Sequence, residues 1–368
     1  MKRSIALAVA LAAVVLGPGS PAGARPHGAP AAIGAVPVVT GLDWPAGFTF
    51  APDGRIFYGE RFTGEIRIYD PSTGSNTLFF TIPNLSTQGE QGLLGIALAP
   101  QFETTRPYVF AYATRTTPSG LRNQIIRIKY VSGTGTSPRL IFSSDTVAGT
   151  YHDGGRIMFG PDGNLFAVVG EGHDSGNAQD LTNNAGKILR MNGNGQAPPD
   201  NPHPPSLIWS YGHRNSFGFT FDPLTGNLWE TENGPECNDE INLIAKGANF
   251  GWGPSETCSE PPPPPMNTNQ DGPNPVLPLA WFTPTIAPVG TEFCLGCGLG
   301  SASEGTMFFG MNNPPHEIRR VVLTPDRMGI QSITTVYTHS QGVVSMEVGV
   351  DQALYFSDAG AIYKLVQT

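Results

Sequence analysis

The sequence predicts an all-β protein folded as a six-bladed β-propeller. The first observation is a repeat. Segments beginning at Ala46 (AGFTFAPDGRIFYGERFTGEIRIYD), Gly92, Gly154 (GGRIMFGPDGNLFAVVGEG), Gly218 (GFTFDPLTGNLWETENG), Gly305 and Val343 resemble one another. Most read as a short apolar strand, a Pro-Asp-Gly-type turn, a second apolar strand, then Gly or Glu, then a third strand. The second observation is composition: only 14% of residues are charged, while 46 glycines and 35 prolines supply turns, which favours many short strands over helices. The third is period two, as in GEIRIYD, which marks a half-buried strand. Strand-only repeats of this size are propeller blades of four strands each. A pair of β-sandwiches is the alternative, and the regular repeat without a central linker argues against it.

In chain order, Lys2 and Arg3 precede an apolar run, Ile5 to Leu16, and the small residues Ala22-Gly23-Ala24. That order is a secretory signal peptide over residues 1–24, followed by a flexible segment over 25–35 and the propeller over 36–368. The expected location is therefore secreted or periplasmic. No later stretch approaches the ~20 apolar residues of a membrane span. A net charge of −9 disfavours nucleic acid and anionic membranes as partners. In an oxidising compartment the four cysteines predict two disulfides, the local pairing being Cys237–Cys258 and Cys294–Cys297. Two other pairings stay open, as does a redox or half-zinc role for Cys-Leu-Gly-Cys. The proline run 261–265 and the segment NGQAPPDNPHPPS read as surface loops.

Propeller sites lie where loops converge over the channel, so polar residues at strand ends are the candidates. His152 and Glu171 flank two strands; if these form a hairpin, the carboxylate can hold the imidazole in one tautomer. The competing reading is a plain loop histidine. Arg214 and Asn215, in GHRNSFGF, offer donors for an anionic or carbonyl oxygen, or a salt bridge within a loop. The stretch ENGPECNDEINLI, with Glu232, Glu236, Asp239 and Glu240, suits a hard cation such as calcium, or is a solvated acidic loop. Glu90, in GEQGLLG, precedes a buried strand and sits in a candidate binding turn or an ordinary one. The glycines after His152 are read as letting a ligand approach the backbone.

Taken in order, HDGGRIMFGPDGNLF, AQDLTNNAGKILRMN, DNP, GHRN, GPECNDEIN and GANFGWG resemble the glucose/sorbosone dehydrogenase family of soluble, pyrroloquinoline-quinone (PQQ)-dependent aldose dehydrogenases. GEQGLLGIALAPQF and TPTIAPVG extend the resemblance over most of the chain after residue 24. It implies a six-bladed propeller with the quinone over its channel and a small sugar as substrate; it names no electron acceptor. It implies that His152 takes the proton of the anomeric hydroxyl, with Glu171 in place of an orienting aspartate. It implies that Arg214 and Asn215 contact the quinone, that Glu90 lies beside it, and that Gly234 and Pro235 hold calcium through their carbonyls, followed by the acidic pair Asp239 and Glu240. Two departures stand out. The family's lysine in the fifth blade and Arg-x-Arg leading into the sixth are absent from EFCLGCGLGSASEGTMFFG and SQGVVSMEVGVDQALYF, and Phe217 replaces a polar residue. Arg319 or Arg320 are candidate substitutes. Besides the dehydrogenase, two other functions are consistent with these residues: a non-catalytic, calcium-containing propeller binding carbohydrate or protein, and a calcium-dependent hydrolase of the lactonase kind.

Overall fold

The computed structural model describes residues 32–102, 104–255, 258 and 270–368. The expected signal peptide and the proline run 261–265 lie outside the described residues. Six four-stranded antiparallel sheets form the protein. The innermost strands are Pro45–Phe50, Leu93–Leu98, Ile157–Phe159, Ser216–Phe221, Pro288–Phe293 and Ser345–Val348. Each sheet packs against the next, and the last against the first, closing a six-bladed propeller. One short helix, Gly176–Gln179, is present among the described residues.

The core lies between blades. Six apolar clusters each fill one seam, for example Phe110, Tyr112, Leu165 and Leu189 between blades two and three. Glycines on the inner strands let the blades meet around the channel. A Cβ on Gly95 would stand 2.1 Å from the Gly155 carbonyl oxygen, and one on Gly218 2.1 Å from that of Val289. The strand-inner glycine of AGFTF, LLGIA and FGFTF therefore belongs to the repeat for a packing reason.

The ring closes through strand Ile33–Thr40, which pairs antiparallel with Ala361–Gln367 and forms the outer strand of the last blade. The first strand thus begins inside the segment expected to be flexible. The repeat starting at Gly305 is out of phase: its blade begins one strand earlier, at Pro288–Phe293. Both local disulfides, Cys237–Cys258 and Cys294–Cys297, are formed, in place of the other pairings and of a half-zinc site.

Candidate active site

Two kinds of connection face the same end of the channel: the link from one blade's outer strand to the next blade's inner strand, and the turn between second and third strands. Trp44, Glu90, His152, Arg214, Asn215 and Ala287 come from the first kind. Arg61, Glu171, Asn233 and Asn312 come from the second.

His152 Nδ1 is hydrogen-bonded to Glu171 Oε1, and both side chains are buried. The hairpin of Ile157–Phe159 and Leu165–Val169 brings the two ends together. The Glu171 amide donates to the Arg214 carbonyl at 2.9 Å, tying blade three to blade four. Glu90 Oε2 accepts from the His152 backbone N–H (2.7 Å) and from Asn215 Nδ2 (3.0 Å). Asn215 Oδ1 accepts from the Gly154 N–H at 3.2 Å. Glu90, His152, Glu171, Arg214 and Asn215 therefore form one hydrogen-bonded network across blades two, three and four. His152 is held at φ 64°, a left-handed backbone that only a constrained loop sustains for a histidine. No hydrogen bond occupies its Nε2 among the described residues. An exposed second imidazole, His173, meets its ring edge-on with centroids 4.7 Å apart.

The glycines of HDGG have a different use from the one expected. A Cβ on Gly154 would stand 2.6 Å from the Val168 carbonyl oxygen, and one on Gly155 2.4 Å from Leu94 Cβ. They admit the neighbouring strand and blade, and no ligand is needed to explain them.

Arg214 Nη1 donates to the Asn233 carbonyl at 2.9 Å, and the guanidinium lies over Trp252 at 5.3 Å. Its Nε is buried without an acceptor. Burial lowers the Arg214 pKa, while Glu171, Glu232 and Glu90 oppose that shift. The loop after strand Leu228–Glu232 is tight: a Cβ on Gly234 would stand 2.0 Å from the Cys237 carbonyl oxygen. Asp239 accepts the N–H groups of Gly234 (2.8 Å), Ile286 (2.6 Å) and Ala287 (2.7 Å). Burial raises its carboxyl to about 6 against the pull of these amides. A cavity of about 20 Å³ lies here, lined by Arg214, Glu232, Gly234, Pro235, Asn238 and Glu240 among others. Burial, then the neighbouring Glu232, pushes Glu240 well above the usual carboxylate range.

Over the channel mouth lies a cavity of about 280 Å³, lined by Trp44, Arg61, Glu90, Arg156, Phe217 and Asn312 among others. Arg319 and Arg320 are not part of it. They sit on the third strand of blade five, Arg319 paired with Glu317 at 2.8 Å and Arg320 donating to the Ala302 carbonyl at 3.1 Å. The cations of the cavity are Arg61 and Arg156. Arg61 donates to the carbonyls of Gln91 and Gly89 and packs over Trp44 and Phe62.

Residues 42–365 match the family described as Glucose / Sorbosone dehydrogenase. The chain belongs to that family. This glucose/sorbosone dehydrogenase family member is 34% identical to the uncharacterized protein slr1608 of Synechocystis, over 76% of this chain and 73% of that protein. It is 33% identical to quinoprotein glucose dehydrogenase B of Acinetobacter calcoaceticus over 58% of this chain, and spans 51% of that enzyme's length. It is 32% identical to aldose sugar dehydrogenase YliI of Escherichia coli over 61% of this chain and 62% of that enzyme. Among solved structures, the PQQ-bound aldose sugar dehydrogenase of Streptomyces coelicolor superposes with a TM-score of 0.76 at 27% identity, covering 91% of this chain and 98% of that one.

Three buried residues near the site had no mark in the sequence. Lys187 Nζ donates to the carbonyls of Asn177 (2.8 Å), Ala178 (3.1 Å) and Ala185 (2.7 Å), pinning the loop that follows Glu171. Burial lowers its pKa to about 7, and the three carbonyls favour the ammonium. Lys187→Met strands three carbonyls, so unfolding stability is expected to fall by about 3 kcal/mol, read from the urea midpoint. Asp153 is buried beside His152, with Oδ1 on Asn123 at 3.0 Å and Oδ2 without a partner. Burial raises it to about 7. The folded state thus binds this proton more tightly than the unfolded chain. The resulting stability is complete below the ordinary value of 3.8 and is lost as pH rises to about 7. Asp153→Asn is expected to flatten that decline, by up to about 4 kcal/mol, in urea unfolding followed from pH 4 to 8. Arg156, the third, braces the channel.

Proposed function

We propose that the protein is a PQQ-dependent dehydrogenase that oxidises an aldose or related sugar alcohol group, with calcium as a second cofactor and export to the periplasm or medium. The observation that carries this reading is the buried Glu171–His152 pair, which leaves Nε2 without a hydrogen bond among the described residues, in the network that holds Arg214 and Asn215. The residues fit an anionic ligand: the buried Arg214 Nε lacks an acceptor, and Arg61 and Arg156 line a cavity near the lower end of the usual ligand range. When bound, the quinone supplies a two-electron acceptor for the hydride leaving the anomeric carbon.

His152 Nε2 takes the hydroxyl proton, and Glu171 holds the imidazole in the tautomer with its hydrogen on Nδ1. Glu90 fixes the base through its backbone and Asn215 through its amide, so a shift in one moves both. Arg214 stabilises negative charge that develops on the ligand. For calcium, the carbonyls of Gly234 and Pro235, with Glu240 close by, offer the oxygen donors a hard cation takes. Asp239, whose oxygens hold three backbone amides, shapes that loop in this reading.

The test is titration of the purified protein with PQQ and calcium, followed by the quinone absorbance. Saturable binding and bleaching by an aldose support the dehydrogenase. Calcium uptake without quinone binding at tens of micromolar would instead favour the carbohydrate- or protein-binding propeller. A specific observation gives that second reading its weight: no lysine or arginine of blade five or six lines the cavity among the described residues.

A further inference from the structure

We propose that His213, Glu230 and Glu232 form a metal site, adjoining the calcium loop through Glu232 and buried between blades three and four, that takes a divalent ion of the zinc or manganese type. His213 Nδ1 stands 3.0 Å from Glu232 Oε2 and 3.1 Å from Glu230 Oε2. The three groups bring one ligand atom each to within 4.8 Å of the others, and all three side chains are buried. The two nitrogen–oxygen separations, near 3 Å, suit an ion with bonds of about 2.0–2.2 Å.

The hydrogen-bond pattern is what sets this cluster apart from an ordinary ion pair. Only the Glu232 contact has hydrogen-bond geometry; both carboxylate oxygens of the fully buried Glu230 are without a hydrogen bond. Asn242, opposite Glu230 in the sheet, also has a buried Oδ1 without a donor. The pocket thus collects acceptors that outnumber its donors, with one imidazole set against two carboxylates. Buried carbonyl and carboxylate oxygens are seldom left so. A proton on the imidazole answers this in part. That one nitrogen, Nδ1, lies 3.0 Å from a Glu232 oxygen and 3.1 Å from a Glu230 oxygen, and a single proton cannot bond both in line.

A divalent ion meets both carboxylates and the nitrogen together. His213 Nε2 lies 2.8 Å from Ser210 Oγ; with the ring N–H donated there, Nδ1 keeps a lone pair for a metal. Phe250 stacks on the ring at 4.9 Å and fixes its plane. Glu240 stands opposite Glu232 in the sheet, and Arg214 lines the same small cavity as both. The nitrogen ligand separates this site from the all-oxygen Gly234–Pro235 loop, because imidazole with carboxylates selects borderline ions over calcium. Glu232 also accepts the Arg214 backbone N–H, so the ion would anchor the stretch that carries Arg214 and Asn215.

The protein, stripped with chelator and held in excess calcium, is titrated with Co2+ and then Zn2+. The expected result is one Co2+ per chain with absorption bands of nitrogen–carboxylate coordination, displaced by Zn2+. Glu230→Gln and His213→Gln are each expected to weaken uptake at least a hundredfold, and Ser210→Ala about tenfold. No uptake by the wild-type chain, or uptake unchanged in Glu230→Gln, would overturn the proposal and leave a proton-sharing cluster. The near-isosteric Glu230→Gln carries the test if His213→Gln does not fold. Neither quinone nor sugar enters the measurement, so its outcome is independent of the dehydrogenase reading.

Discussion

Replacing His152 with alanine is expected to lower sugar turnover by about 10²–10⁴-fold, the usual contribution of a general base. The argument rests on position. Glu171 engages Nδ1, and the ring's other nitrogen is left without a hydrogen bond at the channel mouth. Glu90 grips only the backbone N–H of His152, so the loop keeps its anchor in the variant. The fold should therefore hold, but Glu171 loses its buried partner, so the urea midpoint is expected to fall by an amount equivalent to about 1–3 kcal/mol. Glu171→Gln is the companion test. A glutamine can donate to Nδ1, which puts the ring hydrogen on Nε2 and removes the acceptor, as the tautomer argument for triads requires. Its turnover should fall while quinone binding, read by absorbance, stays. Wild-type turnover in His152→Ala would remove the residue from the mechanism. Lost quinone binding in the same variant would assign it to the pocket wall.

The blades were legible because strand alternation and Asp-Gly turns are local. The apolar runs at Ala46, Gly154 and Gly218 each carry their own turn, and each became a hairpin at the expected place. Blade five was misphased because the turn after its inner strand is a disulfide loop, Cys294–Cys297, with no Pro-Asp-Gly signal. The closing pair of Ile33–Thr40 and Ala361–Gln367 joins opposite ends of the chain, and neither strand marks its partner. At the site, His152 and Glu171 were legible because a hairpin of known period returns one to the other. Arg214 and Asn215 stood out as polar residues among aromatics. The HDGG glycines are explained by packing: Val168 of the same hairpin lies beside Gly154, and Leu94, beside Gly155, is brought there only by the neighbouring blade. Arg61 and Arg156 escaped notice because each is one arginine in an apolar repeat, and their partners lie in other blades.

Arg156→Met is expected to cost about 3–5 kcal/mol of unfolding stability, the usual penalty for breaking a buried ion pair by removing one partner. Nη1 bonds Glu347 of blade six at 2.6 Å and Nη2 bonds Glu292 of blade five at 3.0 Å. Thr220 of blade four donates to the other Glu292 oxygen at 2.9 Å. One guanidinium from blade three thus ties together half the ring across the channel, where the seam clusters do not reach. Methionine fills a similar volume but leaves two buried carboxylates facing each other without a cation. Burial, then Glu347, already raises Glu292 to about 8 with the arginine in place. Without it, both carboxyls must take up protons to stay buried, and that becomes harder as pH rises. The loss should therefore be larger at pH 9 than at pH 6 in denaturant unfolding of the ligand-free protein. Adding Glu292→Gln and Glu347→Gln removes the stranded charges and should recover much of the loss, a coupling that independent sites would not show. A single variant with the wild-type midpoint at both pH values would mean that the blades are held by their apolar seams alone. The arginine's role would then lie in the floor of the cavity it lines.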